Sequence, residues 1–236
     1  MAAIYKVLSA LLSYPEAPLQ EAADELLDVI AHERLLCSET RLTLAHLVRE
    51  ISGWHLIDAQ SRYVDLFDRT RVLSLHLFEH VHGESRDRGQ AMVSLLERYR
   101  EAGLDISVNE LPDYVPVFLE FLSLQTPDGA RAMLAEPVHI LAALGERLRK
   151  RGSGYAAIFE ALVALAKAQP DGEILAALRE TTLENPHDLA ALDRVWEETE
   201  VRFGPEDAKP GECPRAGDML RRMQAAQAPR QQGAEQ

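Results

Sequence analysis

Residues 114–124 read YVPVFLEFLSL, apolar at nearly every position, with Glu120 the only charge. A helix that is hydrophobic all round belongs at the centre of a bundle, or lines a groove that something else fills. Pro112 suits the first turn of such a helix, and Pro116 is tolerable if the helix proper starts one or two residues before it.

The flanking sequence repeats the helical period. Ile4, Val7, Leu8, Leu11 and Leu12 recur at i, i+3, i+4, i+7 and i+8, one apolar stripe. Leu44, Leu47, Val48 and Ile51 form another before Gly53. Tyr63, Leu66 and Phe67 form a third, and Met92, Leu95, Leu96 and Tyr99 a fourth, ended by Gly103. Tyr155, Ile158, Phe159 and Leu162 follow. Apolar/polar alternation of strand length is missing, so the fold class expected is all-α, a single helical bundle over residues 1–203. From Gly204 the chain turns rich in Pro, Gly, Gln and Ala. Residues 204–236 therefore read as a disordered tail that cannot bury enough apolar area to offset its ordering entropy. The chain shows no internal repeat, which argues against a solenoid.

Composition narrows the function. The 38 acidic and 25 basic side chains give a formal net charge of −13. An excess of that size repels nucleic acid and anionic lipid and favours neutral or basic partners. Cys37 and Cys213 are too few and too far apart for a disulfide framework, and fit a reducing compartment. The first residues, MAAIYKVLSALLSYPEAP, lack a basic leader and read as a first helix rather than a signal peptide. No apolar run approaches the roughly 18 residues that span a bilayer. A soluble, cytoplasmic protein is expected, with no membrane insertion.

Residues 62–88 are the most unusual stretch. Five arginines (62, 69, 71, 86, 88) stand against Asp65, Asp68, Glu79, Glu84 and Asp87, with His76, His80 and His82 among Leu75, Leu77 and Phe78. One reading is an internal ion-pair network between helix ends. The other is a polar rim beside an apolar groove, where charges orient a bound peptide. His76 and His80 also sit at i, i+4, the spacing of a two-histidine metal pair on a helix, although the His-Glu-x-x-His order is absent. His187-Asp188 supplies the dipeptide of helical metal phosphohydrolases, but with Asn185-Pro186 before it the stretch reads more simply as a helix start. The chain has no phosphate-cradling glycine loop and no nucleophile elbow. A metal-dependent helical hydrolase and a generic helical adaptor are the alternatives to a binding protein of defined client, and no metal ligand set is assigned.

Two stretches together carry a resemblance. Tyr63-Val64-Asp65-Leu66-Phe67 resembles the Tyr-x-x-Leu-Phe element of the TorD-like redox-enzyme maturation chaperones, and Glu110-Leu111-Pro112-Asp113-Tyr114 resembles their Glu-x-Pro-Asp-His element. Residues 74–92 and 109–123 are most similar to one branch, the nitrate reductase assembly chaperones, also called delta subunits. Tyr114 stands where the wider family has histidine. The resemblance spans about residues 3–203. It implies a chaperone, not an enzyme, that binds the N-terminal segment of the apo catalytic (alpha) subunit. The client would then receive bis-molybdopterin guanine dinucleotide and an iron–sulfur cluster before docking on the membrane subunit. Neither cofactor would be bound stably by the chaperone, and cofactor-delivery proteins are candidate further partners.

An acidic body with an apolar groove suits a basic amphipathic peptide bound as a helix. The groove is expected at Tyr63, Leu66, Phe67, Leu75, Phe78, Tyr114, Phe118, Phe121 and Leu122, with plain core packing the alternative for each. The polar rim is expected at Asp68, Arg69, His76, Glu79, Arg86, Asp87 and Asp113, the last alternatively a first-turn acid placed by the helix dipole.

Overall fold

A computed structural model describes residues 3–69, 71–82, 86–106 and 110–180, the side chains of 82, 86 and 87 excepted. The expected tail at 204–236, Cys213 and the His187-Asp188 pair lie outside the described residues. Those residues are all-α: α1 Ala3–Leu12, α2 Ala17–Glu21, α3 Ala23–His32, α4 Ser38–Gly53, α5 Leu56–Phe67, α6 Glu79–His82, α7 Arg86–Glu101, α8 Val115–Leu124, α9 Pro127–Ala135, α10 Val138–Lys150, α11 Ala156–Ala166 and α12 Gly172–Glu180. A 3₁₀ turn, Arg71–Leu73, follows α5.

The apolar helix forms the centre. Seven apolar residues of α8 and Ser123 are buried, leaving Glu120 and Leu124 exposed. Its most extensive partner is α1, whose stripe of Ile4, Val7, Leu8, Leu11 and Leu12 is buried against it. Ser9, the polar exception on that stripe, donates to the Pro116 carbonyl at 2.8 Å, so the hydroxyl is satisfied inside the core. The helix starts at Val115, one residue before Pro116 as that proline requires, with Tyr114 at the N-cap and Pro116 in the first turn. Pro112 therefore precedes the helix, and Asp113 is not a first-turn acid.

The second centre is the α10–α11 pair. Gly145 permits its close approach, since a Cβ there would lie 3.1 Å from the Phe159 Cβ. Helix ends follow local chemistry. Thr126 caps α9 by accepting the Gly129 N–H at 3.2 Å, with Pro127 at its first position. Gln20 of α2 donates to the Ile51 and Trp54 carbonyls at the end of α4. Gly103, at φ +78°, follows the end of α7, a backbone conformation that favours glycine. Among the described side chains of α7 only Tyr99 is buried; Met92, Leu95 and Leu96 are half-covered. No helix among the described residues is long and apolar enough to cross a membrane.

Candidate functional site

The stretches around 63–82 and 110–124 meet. After the 3₁₀ turn, residues 74–78 are not helical: His76 pairs antiparallel with Tyr114, and Leu77 and Phe78 turn into α6. The Val115 N–H donates to the Leu75 carbonyl at 2.9 Å, and the Leu77 N–H donates to the Asp113 carbonyl at 3.1 Å. His76 and Tyr114 face each other as an isolated bridge, their rings 5.3 Å apart.

Asp113 anchors this crossing. Its side chain is fully buried; Oδ2 accepts the Phe78 N–H at 3.1 Å and Oδ1 lies 3.1 Å from His76 Nδ1. A carboxylate only accepts, so Nδ1 carries the proton. Two tyrosines hold the same turn from the helices. Tyr99 of α7 donates to the Pro112 carbonyl at 2.8 Å. Tyr63 of α5 donates to the Leu12 carbonyl at 2.8 Å and lies 2.9 Å from the Tyr114 hydroxyl. Because Tyr63 has one proton and spends it on Leu12, Tyr114 is the donor between them. Burial holds the hydroxyls of Tyr63, Tyr99 and Tyr114 above the ordinary tyrosine range, so all three stay protonated as hydrogen-bonding groups.

The expected histidine pair on one helical face does not form. His76 lies in the antiparallel bridge to Tyr114, whereas His80 belongs to the short α6. His80 Nε2 donates to the Ser74 carbonyl at 2.9 Å, and burial pushes its basicity below the histidine norm. Among the described residues no group of three His, Cys, Asp or Glu side chains gathers as a metal site.

The expected groove residues fall into two groups. Tyr63, Phe67, Leu75, Phe118, Phe121 and Leu122 are buried in the core. There Tyr63, Phe67 and Tyr155 pack ring on ring at 4.9–6.4 Å. Those six therefore follow the core alternative rather than line an open surface, because a helix apolar all round is enclosed by its neighbours. Leu66, Phe78 and Tyr114 are half-exposed. Of the expected rim, Asp68 and Arg69 are exposed, His76 and Glu79 half-exposed, and Asp113 buried beneath them. Arg69 pairs with Asp65 at 3.1 Å, and Arg88 with Glu79 at 3.3 Å. The side chains of Arg86 and Asp87 lie outside the described set.

An open groove lies on the outer face of α5. It measures about 360 Å³ and is lined by Tyr14, Ile57, Gln60, Ser61, Val64, Asp65 and Arg69. Ile57 is 64% exposed and Tyr14 46%. Gln60 donates to the Pro15 carbonyl at 2.9 Å, which seats Tyr14 over α5, and the Tyr14 ring meets Tyr63 edge-on at 5.7 Å. The groove thus backs onto the tyrosine that reaches the 113–115 crossing. Sequence reasoning passed over Tyr14, Ile57 and Val64. The available signal was Ile57, an apolar residue off the Ala59–Tyr63–Phe67 stripe of its own helix.

A family model described as nitrate reductase delta subunit matches residues 16–161. The chain belongs to the nitrate reductase delta subunit family. It is 42% identical over 199 residues to the nitrate reductase molybdenum cofactor assembly chaperone NarJ of Escherichia coli K12, an overlap of 84% of this chain and 83% of that one. It is 39% identical over 201 residues to the probable nitrate reductase molybdenum cofactor assembly chaperone NarW of the same strain, covering 85% and 83%. The probable NarJ chaperone of Bacillus subtilis is 29% identical over 161 residues, covering 68% of this chain and 86% of that one. These relatives are named as assembly chaperones rather than catalysts, and family membership agrees with the resemblance read from residues 63–92 and 109–123.

Proposed function

We propose that this chain is an assembly chaperone that binds the N-terminal segment of the apo catalytic subunit of a respiratory nitrate reductase. It keeps that subunit receptive while bis-molybdopterin guanine dinucleotide and an iron–sulfur cluster enter, and delays docking onto the membrane subunit. The cofactors are cargo of the client. The observation that carries the reading is the open groove on α5, where Tyr14, Ile57 and Val64 stand beside Gln60, Ser61, Asp65 and Arg69, in a protein of net charge −13.

The groove suits the apolar face of a short helix, which presents side chains at i, i+3, i+4 and i+7. Tyr14, Ile57 and Val64 supply apolar contact, and Asp65, Asp68 and the general acidity attract a basic segment. Leu66, Phe78, Tyr114, His76, Glu79 and Arg69 extend the surface. Tyr63, packed edge-on against Tyr14, backs the groove.

The test is restoration of client loading. Cells lacking this chain should make a nitrate reductase catalytic subunit deficient in molybdenum, and the wild-type chain should restore the metal content of the purified enzyme. Full molybdenum content without the chain contradicts the proposal.

A further inference from the structure

Arg147 is a buried cation without an anion. Its side chain is 5% exposed, and among the described residues it forms no ion pair. Burial alone depresses its basicity. Its guanidinium instead forks between two backbone carbonyls, donating Nη1 to Val72 at 2.7 Å and Nη2 to Leu178. Val72 belongs to the 3₁₀ turn that leads into segment 74–78, and Leu178 lies in the last turn of α12.

Helix α12 is lightly held. It has nine residues, of which only Leu175 is buried, and a helix of that length is marginal on its own. Half-buried Leu178 also packs against the core, and a bidentate pair at the surface joins α12 to α10, Arg179 to Glu146 at 2.8 and 2.6 Å. Segment 74–78 is held by its buried Leu75 and Leu77 and by backbone bonds to Asp113 and Val115.

A planar guanidinium satisfies two acceptors only in one orientation. If α12 lifts, a buried cation keeps donors with no acceptor, a costly state. The side chain then turns toward water and leaves the Val72 carbonyl as well. We infer that α12 is a removable clasp on segment 71–82, coupled to it through the Arg147 fork. Anything that binds undocked α12 more tightly than docked α12 therefore shifts the population in which the His76–Asp113 crossing is loosened. This conformational device does not depend on the client-binding reading.

Hydrogen-exchange mass spectrometry on the full chain tests it. Arg179→Ala removes only an exposed contact. It should raise exchange across 172–180 and, at least threefold, across 74–78, whose Leu77 and Phe78 amides both bond to Asp113, while α1 stays unchanged. In an Arg147→Lys background, which keeps the charge but not the fork, Arg179→Ala should still free α12 without further change at 74–78. The inference is overturned if α12 loosens and 74–78 does not, if α12 itself does not respond, or if α1 rises equally. It is also overturned if the coupling survives in Arg147→Lys. Should Arg147→Lys not fold, Arg179→Ala alone decides.

Discussion

Tyr63 and Tyr114, 51 residues apart, join their hydroxyls at 2.9 Å, and Tyr63 in turn donates to the Leu12 carbonyl. This relay ties α1, α5 and the start of α8 at one point. Its members are unequal. Tyr63→Phe strips the partner from both a buried carbonyl and the Tyr114 hydroxyl, at a cost of about 2 kcal/mol. Tyr114→Phe removes only a donor and should cost about 1 kcal/mol. Urea unfolding of both variants should show that order; equal or reversed losses would contradict the assigned donor direction.

Asp113 is the polar post of the crossing. Asp113→Ala removes a fully buried carboxylate and leaves the half-buried Phe78 N–H and His76 ring without their acceptor, and should cost about 2 kcal/mol. Asp113→Asn keeps one oxygen for Phe78, and His76 can change tautomer to accept from the new amide. It should lose less than half as much. The unfolding midpoints of the two variants make the comparison.

His80 sets a pH response. Its folded basicity is depressed, chiefly by burial and further by Arg147, with the Ser74 bond, Glu79 and Asp113 opposing. The unfolded imidazole titrates near about 6.5, so below that value the unfolded chain binds more protons at this site. Stability is therefore fully kept above the unfolded value and lost as pH falls toward the folded one. His139 is shifted the same way by burial and adds to the slope. Unfolding free energies between pH 7.5 and 5.5 should decline, and less steeply for His80→Gln; an unchanged slope would remove His80 from the response.

Much of the fold was legible because burial follows period. The stripe Ile4, Val7, Leu8, Leu11, Leu12 and the stripe Leu44, Leu47, Val48, Ile51 are buried throughout. The site was less legible. His76 and His80 stand at helical spacing, yet His76 is extended because its neighbours pair with Asp113 and Val115, partners more than 35 residues away. For Phe118, Phe121 and Leu122, core and groove demand the same apolar side chains, so composition alone cannot separate them. The open surface was marked instead by Ile57, a single residue on the wrong face of its helix.

Gly145 tests the α10–α11 contact. The Cβ of Gly145→Val would lie 3.1 Å from the Phe159 Cβ, so the helix backbones would have to shift apart by a few tenths of an ångström. Overpacking of this kind costs about 1–3 kcal/mol, which lowers the Tm by roughly 2–10 °C for a domain of this size. Differential scanning fluorimetry is sufficient to see it; an unchanged Tm would mean the two helices separate freely.

The central claim is that the α5 groove receives the client's N-terminal segment. Isothermal titration calorimetry with a peptide copying the N-terminus of the nitrate reductase catalytic subunit measures this directly. Binding should weaken with added salt. It should fall at least tenfold, about 1.4 kcal/mol, in Ile57→Asp, and stay unchanged in Leu42→Asp, an equally exposed leucine outside the groove. Absence of binding heat to the wild-type chain, or equal affinity in Ile57→Asp, would contradict the account.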